Sequence, residues 1–421
     1  MKTRSLLIYL LFITTLIACN NTPKVKKRII AIPVYGQSLA LGEEATRITN
    51  FDSLSKQTNH TFVTENLDER FGYLSDTHFK QWMKKIINDR ERAFELSIYG
   101  MSEVLAEYFK QNGNDSIMIC SFPGGQGASG ILEINKGTKA YKKFLDEIKT
   151  ANDKAKSRGW DFVVPAFCWM QGEDDIVWKK SKEYKKDLKK IQTDFDSDIK
   201  NITKQKNDVI CITYQTNCLT LSKEFKQNNF YNRETLVPQA QMELVRDDSL
   251  FMASGPTYPY SFISERVHID GISQKRLGYL AGLSVIKLME AKKNKGLVPL
   301  NFSISKDTIT ISFNIPSPPL IIDSTAVLKA DGFGFSVINQ KNENILSKVV
   351  LRDNKVNLIC KNSPIGSKVK YAVNGLTEKS GYRYGPRGNL RDSQGEKLFA
   401  SIQKKKYPLH NWCYQFDVLV K

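Results

Sequence analysis

Histidine is scarce in this chain: four residues in 421, at positions 60, 78, 268 and 410. Cysteine is sparse too, seven in all, with no Cys-x-x-Cys pair and no His-Cys spacing of the metal-binding kind. These shortages exclude zinc-finger and ribbon modules, and no metal or cofactor is expected. Glycine (25) and proline (14) are at ordinary levels, so collagen-like and low-complexity classes are excluded. There is no arginine-rich block and no basic-aromatic repeat, although the net charge is +18. The lysines are interleaved with acids, as in Lys149, Asp153, Lys154 and Lys156. That pattern reads as a solvated surface, with some attraction to anionic polysaccharide or membrane, and no nucleic-acid partner is expected.

Long apolar runs are missing except at the N-terminus. Leu6–Ile17 follows Lys2 and Arg4 and is too short to span a hydrocarbon core of ~30 Å as a helix. It ends in Leu16-Ile17-Ala18-Cys19, which resembles the bacterial lipobox. The expectation is a lipoprotein signal peptide over residues 1–18, lipidation of Cys19 and a polar tether over 19–27. Two or more acyl chains would hold such a protein stably at a membrane of the bacterial cell envelope.

A length of 421 residues suggests two domains. Apolar runs at Arg28–Tyr35, Ser116–Ser121, Trp160–Cys168 and Val209–Tyr214 read as buried strands. Amphipathic patterns at Ile98–Lys110, Tyr141–Lys156, Tyr184–Ile202 and Gln274–Lys293 predict helices. The alternation predicts an α/β domain with a parallel sheet over 28–294. The irregular stretch 43–92 reads as an insertion, either shaping a cleft or without a role. From 295 to 421 the runs are short, alternating and separated by turn residues such as Asp331-Gly332 and Pro364, predicting an all-β sandwich. Cys120, Cys168, Cys211 and Cys360 fall in strand-like runs and read as core. Pairing of Cys211 with Cys218, or Cys360 with Cys413, is open on sequence alone.

Loops at the carboxyl ends of parallel strands hold ligands. After the first strand comes Gly36-Gln37-Ser38-Leu39-Ala40-Leu41-Gly42, a serine in a tight turn. After the second comes Gly124-Gly125-Gln126-Gly127, rich in unhindered backbone N–H groups. After the third comes Trp169-Met170-Gln171-Gly172-Glu173-Asp174-Asp175, offering an amide. His268 stands before the last helix. Hydroxyl, backbone donors, amide and imidazole are the parts of an acyl-transfer site.

These blocks resemble the SGNH/GDSL hydrolase superfamily, in particular its sialate O-acetylesterase-like and acetylxylan-esterase-like carbohydrate esterases. The resemblance implies a three-layer α/β/α, flavodoxin-like fold and a serine esterase that removes O-acetyl groups from carbohydrate, polysaccharide or sialate. It implies Ser38 as nucleophile and His268 as base. It implies an oxyanion hole from the N–H of Ser38, an N–H of Gly125 or Gly127, and the side chain of Gln171. Glu173 and Asp175 take supporting roles, capping a helix or holding Gln171. The family's acid is an aspartate three residues before the histidine; here that residue is Glu265, so Glu265 is the expected orienting acid. Asp270, or a Ser–His dyad without an acid, is the alternative. Two other readings compete: a glycosidase using carboxylates among Glu173, Asp174, Asp175 and Glu265, and a noncatalytic glycan-binding lipoprotein with a degenerate site.

Overall fold

A computed structural model describes residues 27–49, 61–62, 94–114, 116–178, 183–217, 236–376 and 378–421. Cys19, His60, His78, Cys218 and most of the 43–92 and 216–235 stretches lie outside the described residues.

The first part is one parallel sheet whose inner strands each run in two short ladders. These are β1 (Arg28–Ala31, then Val34–Gly36), β2 (Ile117–Cys120, then Pro123–Gly125) and β3 (Asp161–Val163, then Ala166–Met170), followed by β4 (Ile210–Gln215) and β5 (Phe251–Pro256). The order β2-β1-β3-β4-β5 is flavodoxin-like and reverses direction beside β1. A two-residue strand, Thr61–Phe62, pairs parallel with β2. The helices are α1 (Ser97–Gln111), α2 (Lys139–Ser157), α3 (Glu173–Trp178), α4 (Tyr184–Thr203), α5 (Leu236–Asp247) and α6 (Gly271–Met289).

Both faces of the sheet are covered, so its strands are apolar on both sides, as parallel sheets require. Successive residues of β3 show this. The Cys168 thiol meets the Met101 sulfur of α1 at 3.7 Å, while the Trp169 indole N–H donates to the Tyr184 hydroxyl of α4 at 3.1 Å. On the α1 side, glycine lets two helices touch backbone to backbone. A Cβ on Gly100 would fall 2.1 Å from the Lys275 carbonyl oxygen, and one on Gly278 would fall 1.9 Å from that of Ser97. On the other side Tyr35, Phe144 and Phe195 pack with ring centroids 4.6–5.1 Å apart.

Four strands and four helices fall where the sequence pattern predicts them, within a few residues. The last helix ends at Met289, short of Lys293, because Ala291 turns left-handed at φ 55°. Helices α3 and α5 and strand β5 escaped the pattern. Phe251–Pro256 carries glycine and proline and no β-branched residue, so it reads as loop.

The strands of the second part pair antiparallel. Strands β6 (Val298–Ser305), β7 (Thr308–Asn314), β10 (Leu346–Arg352) and β11 (Lys355–Cys360) form one sheet in the order β6-β7-β11-β10. Strands β9 (Phe335–Ile338), β12 (Lys368–Tyr371) and β16 (Phe416–Leu419) form another. Two short pairs complete it: β8 (Ile321–Ile322) with β13 (Leu390–Arg391), and β14 (Phe399–Ile402) with β15 (Lys405–Pro408). This part shares a continuous apolar core with the first. The Gln215 side chain donates to the Gln415 carbonyl at 2.9 Å and accepts from the Gln415 N–H at 2.7 Å, and the Tyr258 hydroxyl donates to the Cys413 carbonyl at 2.8 Å. The second part therefore sits against the carboxyl ends of β4 and β5.

Cys120, Cys168, Cys211, Cys360 and Cys413 are free and buried. The 360–413 pairing is not formed, and Cys211 is likewise a thiol packed in its strand.

Candidate active site

Ser38 leaves β1 through a turn that glycine makes possible. A Cβ on Gly36 would lie 1.9 Å from the Met170 carbonyl oxygen, and one on Gly125 would lie 1.8 Å from that of Gly36. Three strand ends thus converge at backbone distance. The Gln37 N–H donates to Met170 O at 3.0 Å, and its side-chain oxygen accepts from the N–H groups of Gly172 and Asp174 at 3.2 and 3.3 Å. The glutamine of the Gly-Gln-Ser turn is therefore the strut between the serine turn and the start of α3.

His268 reaches Ser38 across 230 positions of sequence. Its Nε2 is 2.8 Å from Ser38 Oγ, and its Nδ1 is 2.7 Å from Glu44 Oε2. A carboxylate only accepts, so Nδ1 carries the proton and Nε2 presents a bare lone pair to the serine O–H. Ser38 is 7 % exposed and the His268 side chain 19 %, so both are reachable from solvent, while the Glu44 side chain is 52 % exposed.

Glu265 is not at the histidine, which corrects the expectation from the sequence. Its carboxylate takes a 2.6 Å ion pair from Lys379 Nζ, and its backbone carries a left-handed φ of 57°. That turn points the side chain toward the second part of the chain. Asp270 is not at the histidine either: it accepts from the Ser273 N–H at 2.8 Å and caps α6. Spacing to His268 does not reveal Glu44, which instead stands six residues after the serine. Its available signal was the acidic pair Glu43-Glu44 closing the serine turn. Glu44 too sits left-handed, at φ 63°. The chain beyond it is pinned by Glu95, a buried acid also missed, whose carboxylate accepts from the N–H groups of Ile48 and Thr49 at 2.9 and 2.8 Å. Burial pushes the Glu95 pKa up.

Gln171 likewise departs from expectation. Both protons of its amide are spent, on Ser129 O at 3.2 Å and on Asp175 Oδ2 at 2.5 Å, and its carbonyl accepts from the Tyr184 hydroxyl at 2.9 Å. Fully buried, it braces the floor of the site and has no proton left for an oxyanion. Asp175 holds that amide and also takes the Ile131 N–H at 2.8 Å. Glu173 is buried, with both oxygens 2.5–2.6 Å from the Tyr214 hydroxyl; burial raises its pKa. Of the two candidate glycines, Gly125 packs on Gly36, whereas a Cβ on Gly127 would lie 4.0 Å from that of Ser38. The N–H groups of Ser38 and Gly127 have no acceptor among the described residues. Among those residues there is also no His, Cys, Asp and Glu cluster able to hold a metal ion.

A serine–histidine pair at the strand ends of a doubly wound α/β domain is the arrangement that the SGNH resemblance implies. Residues 79–284 match the family described as carbohydrate esterase, sialic acid-specific acetylesterase. The matched stretch lies within the α/β part and includes His268. No curated protein sequence matches the chain. A carbohydrate acetylesterase from Xanthomonas citri is similar in structure at 10% identity, covering 92% of this chain and 80% of its own, with a TM-score of 0.55. An Arabidopsis thaliana protein is 13% identical over 62% of this chain and 98% of its own, with a TM-score of 0.42. A carbohydrate acetylesterase from Sinorhizobium meliloti is 12% identical over 62% of this chain and 100% of its own, with a TM-score of 0.32. Of these three, the first carries the fold likeness, and it spans both parts of the chain.

Proposed function

We propose that this protein is a serine O-acetylesterase acting on acetylated carbohydrate, with Ser38 as nucleophile, His268 as base and Glu44 as the acid that orients it. The observation that carries the reading is the relay Ser38–His268–Glu44, with contacts of 2.8 and 2.7 Å. His268 Nε2 takes the serine proton as Oγ attacks the acetyl carbonyl, and Glu44 stabilises the imidazolium that forms. The tetrahedral oxyanion is received by the N–H groups of Ser38 and Gly127. As the intermediate collapses, the imidazolium protonates the departing sugar oxygen, which leaves as a hydroxyl, and Ser38 Oγ retains the acetyl group. A water activated by the same nitrogen then releases acetate and regenerates Ser38.

The assembled relay favours catalysis over the reading of a degenerate, binding-only site. The glycosidase reading is disfavoured because Glu173 and Asp175 are buried and committed to hydrogen bonds within the floor. Sialates are the substrate class suggested by the family description, and polysaccharide acetyl esters are the alternative. The lipobox-like Leu16–Cys19 supports a lipid-anchored enzyme in the bacterial cell envelope. Detergent phase partitioning of Cys19→Ser tests the anchor, and a processed variant that partitions like wild type would refute it. Acetate release from acetylated sialates and polysaccharides tests the activity. Ser38→Ala should abolish it without loss of fold, and near wild-type turnover in that variant would overturn the assignment.

A further inference from the structure

We propose that Lys379–Tyr382, a segment of the second part of the chain, is a positioning clamp on the histidine loop, so that the β part is a working component of the esterase. The inference rests on the reading of Ser38 and His268 as nucleophile and base.

The loop that delivers His268 is conformationally unfavourable. Ser264 and Glu265 are consecutive non-glycine residues at φ 52° and 57°, and Arg266 follows at φ −108°, ψ −113°. Such backbone persists where surrounding structure over-determines it. The loop's own bonds are local: Ile263 N–H to His268 O at 2.7 Å, Glu265 N–H to Phe262 O at 3.0 Å and Arg266 N–H to Ile263 O at 3.1 Å. They tie the loop to itself. On one side Ser261 is joined to the start of α6 through Ser273 Oγ at 3.2 Å. The other side is held from the β part. The Ser380 N–H donates to Glu265 O at 2.8 Å, the Tyr382 N–H to Tyr260 O at 3.3 Å, and Lys379 Nζ to the Glu265 carboxylate at 2.6 Å.

Gly381 sits at the centre of this contact, at φ 85°, where a Cβ would lie 2.9 Å from Tyr260 O and 3.0 Å from the Phe262 ring. The clamp is itself anchored, by Leu328 N–H to Tyr382 O at 3.0 Å and Leu376 N–H to Tyr384 O at 2.7 Å. A half-exposed ion pair alone contributes little. The backbone bond and the glycine contact carry most of the clamp, and the ion pair adds direction. Because a misplacement of about 1 Å can cost about 10² in rate, a clamp acting on the left-handed turn would be read out at His268 Nε2. These are positioning residues; none touches the reacting atoms.

The test uses the full chain and compares wild type, Ser38→Ala, Gly381→Ala, Lys379→Glu, Glu265→Lys and the double variant Lys379→Glu/Glu265→Lys. Rates of p-nitrophenyl acetate hydrolysis give kcat and KM, and thermal unfolding is measured alongside. Gly381→Ala should lower kcat about 10–100-fold with KM within about twofold. Each single charge reversal should lower kcat about 3–10-fold, and the double reversal should recover it to within about twofold of wild type. Recovery on charge exchange is a signature that generic destabilisation does not give. If Gly381→Ala fails to fold, the charge pair decides. A kcat within twofold of wild type in both single reversals, or no recovery in the double variant, overturns the clamp. If wild type is inactive, or Ser38→Ala stays active, the esterase reading falls and takes the clamp with it; an active wild type with a dead Ser38→Ala confines any failure to the clamp.

Discussion

The two sides of the site are built differently. The floor under Ser38 is a closed lattice: Gln37, Gln171, Asp175, Tyr184 and Trp169 are buried and bonded to one another and to the strand-end backbones. The roof that carries His268 is an exposed loop with left-handed residues, held by a half-exposed acid on one side and by the β part on the other. A buried polar group left without a partner costs about 1–3 kcal/mol, so the floor fixes its own geometry. The roof has no such internal constraint, and its precision is supplied by partners far away in sequence.

The largest effect separating these sides should come at their meeting point. His268→Ala is expected to lower kcat by at least ~10³ in an acetate-release assay, an effect far larger than its change in thermal stability. Damage to the floor should invert that pattern. Asp175→Ala strands the Gln171 amide and the Ile131 N–H in the interior, and should cost about 2–4 kcal/mol in chemical denaturation along with activity. If unfolding were unchanged, the floor would not be the rigid side.

A third expectation concerns the β part on which the roof leans. His410 is buried and its Nδ1 accepts the Gly395 N–H at 3.1 Å. Burial foremost, with Arg391 beside it, pushes its pKa down to about 4 from the ordinary 6.5. Between those values the unfolded chain takes up a proton that the folded chain refuses. The contribution is therefore fully present above about pH 6.5 and is lost as pH falls toward about 4, amounting to about 1–3 kcal/mol. In urea titrations across pH 4–7, wild type should lose about 1–3 kcal/mol more stability on acidification than His410→Asn. Parallel curves would contradict it.

The same contrast explains what the sequence reveals. The floor is legible because each of its polar residues sits beside the strand end it must brace, which packs Gly-Gln-Ser and Trp-Met-Gln-Gly-Glu-Asp-Asp into short motifs. Even so, the motif misleads about Gln171, since residue type says that an amide is present and not which way its protons are spent. The roof is hard to read. Glu44 meets His268 across 224 positions, through a left-handed turn that no periodicity announces. Glu265 has the right spacing to the histidine, but its φ of 57° and Lys379 turn it away. Strand β5 is hard to read because tertiary burial overrides the weak β propensity of its local composition.

The most direct measurement is kcat for Glu44→Gln and Glu265→Gln side by side, with acetate release as the readout. Neutralising a buried triad acid costs about 10⁴ in rate, and a half-exposed carboxylate at the same nitrogen should cost less, about 10–10². Glu265→Gln removes an ion pair from the clamp and should cost at most about fivefold. Glu44→Gln is expected to be the slower enzyme, by at least about twofold. A Glu265→Gln enzyme slower than Glu44→Gln would contradict it and return the orienting role to the acid three residues before the histidine.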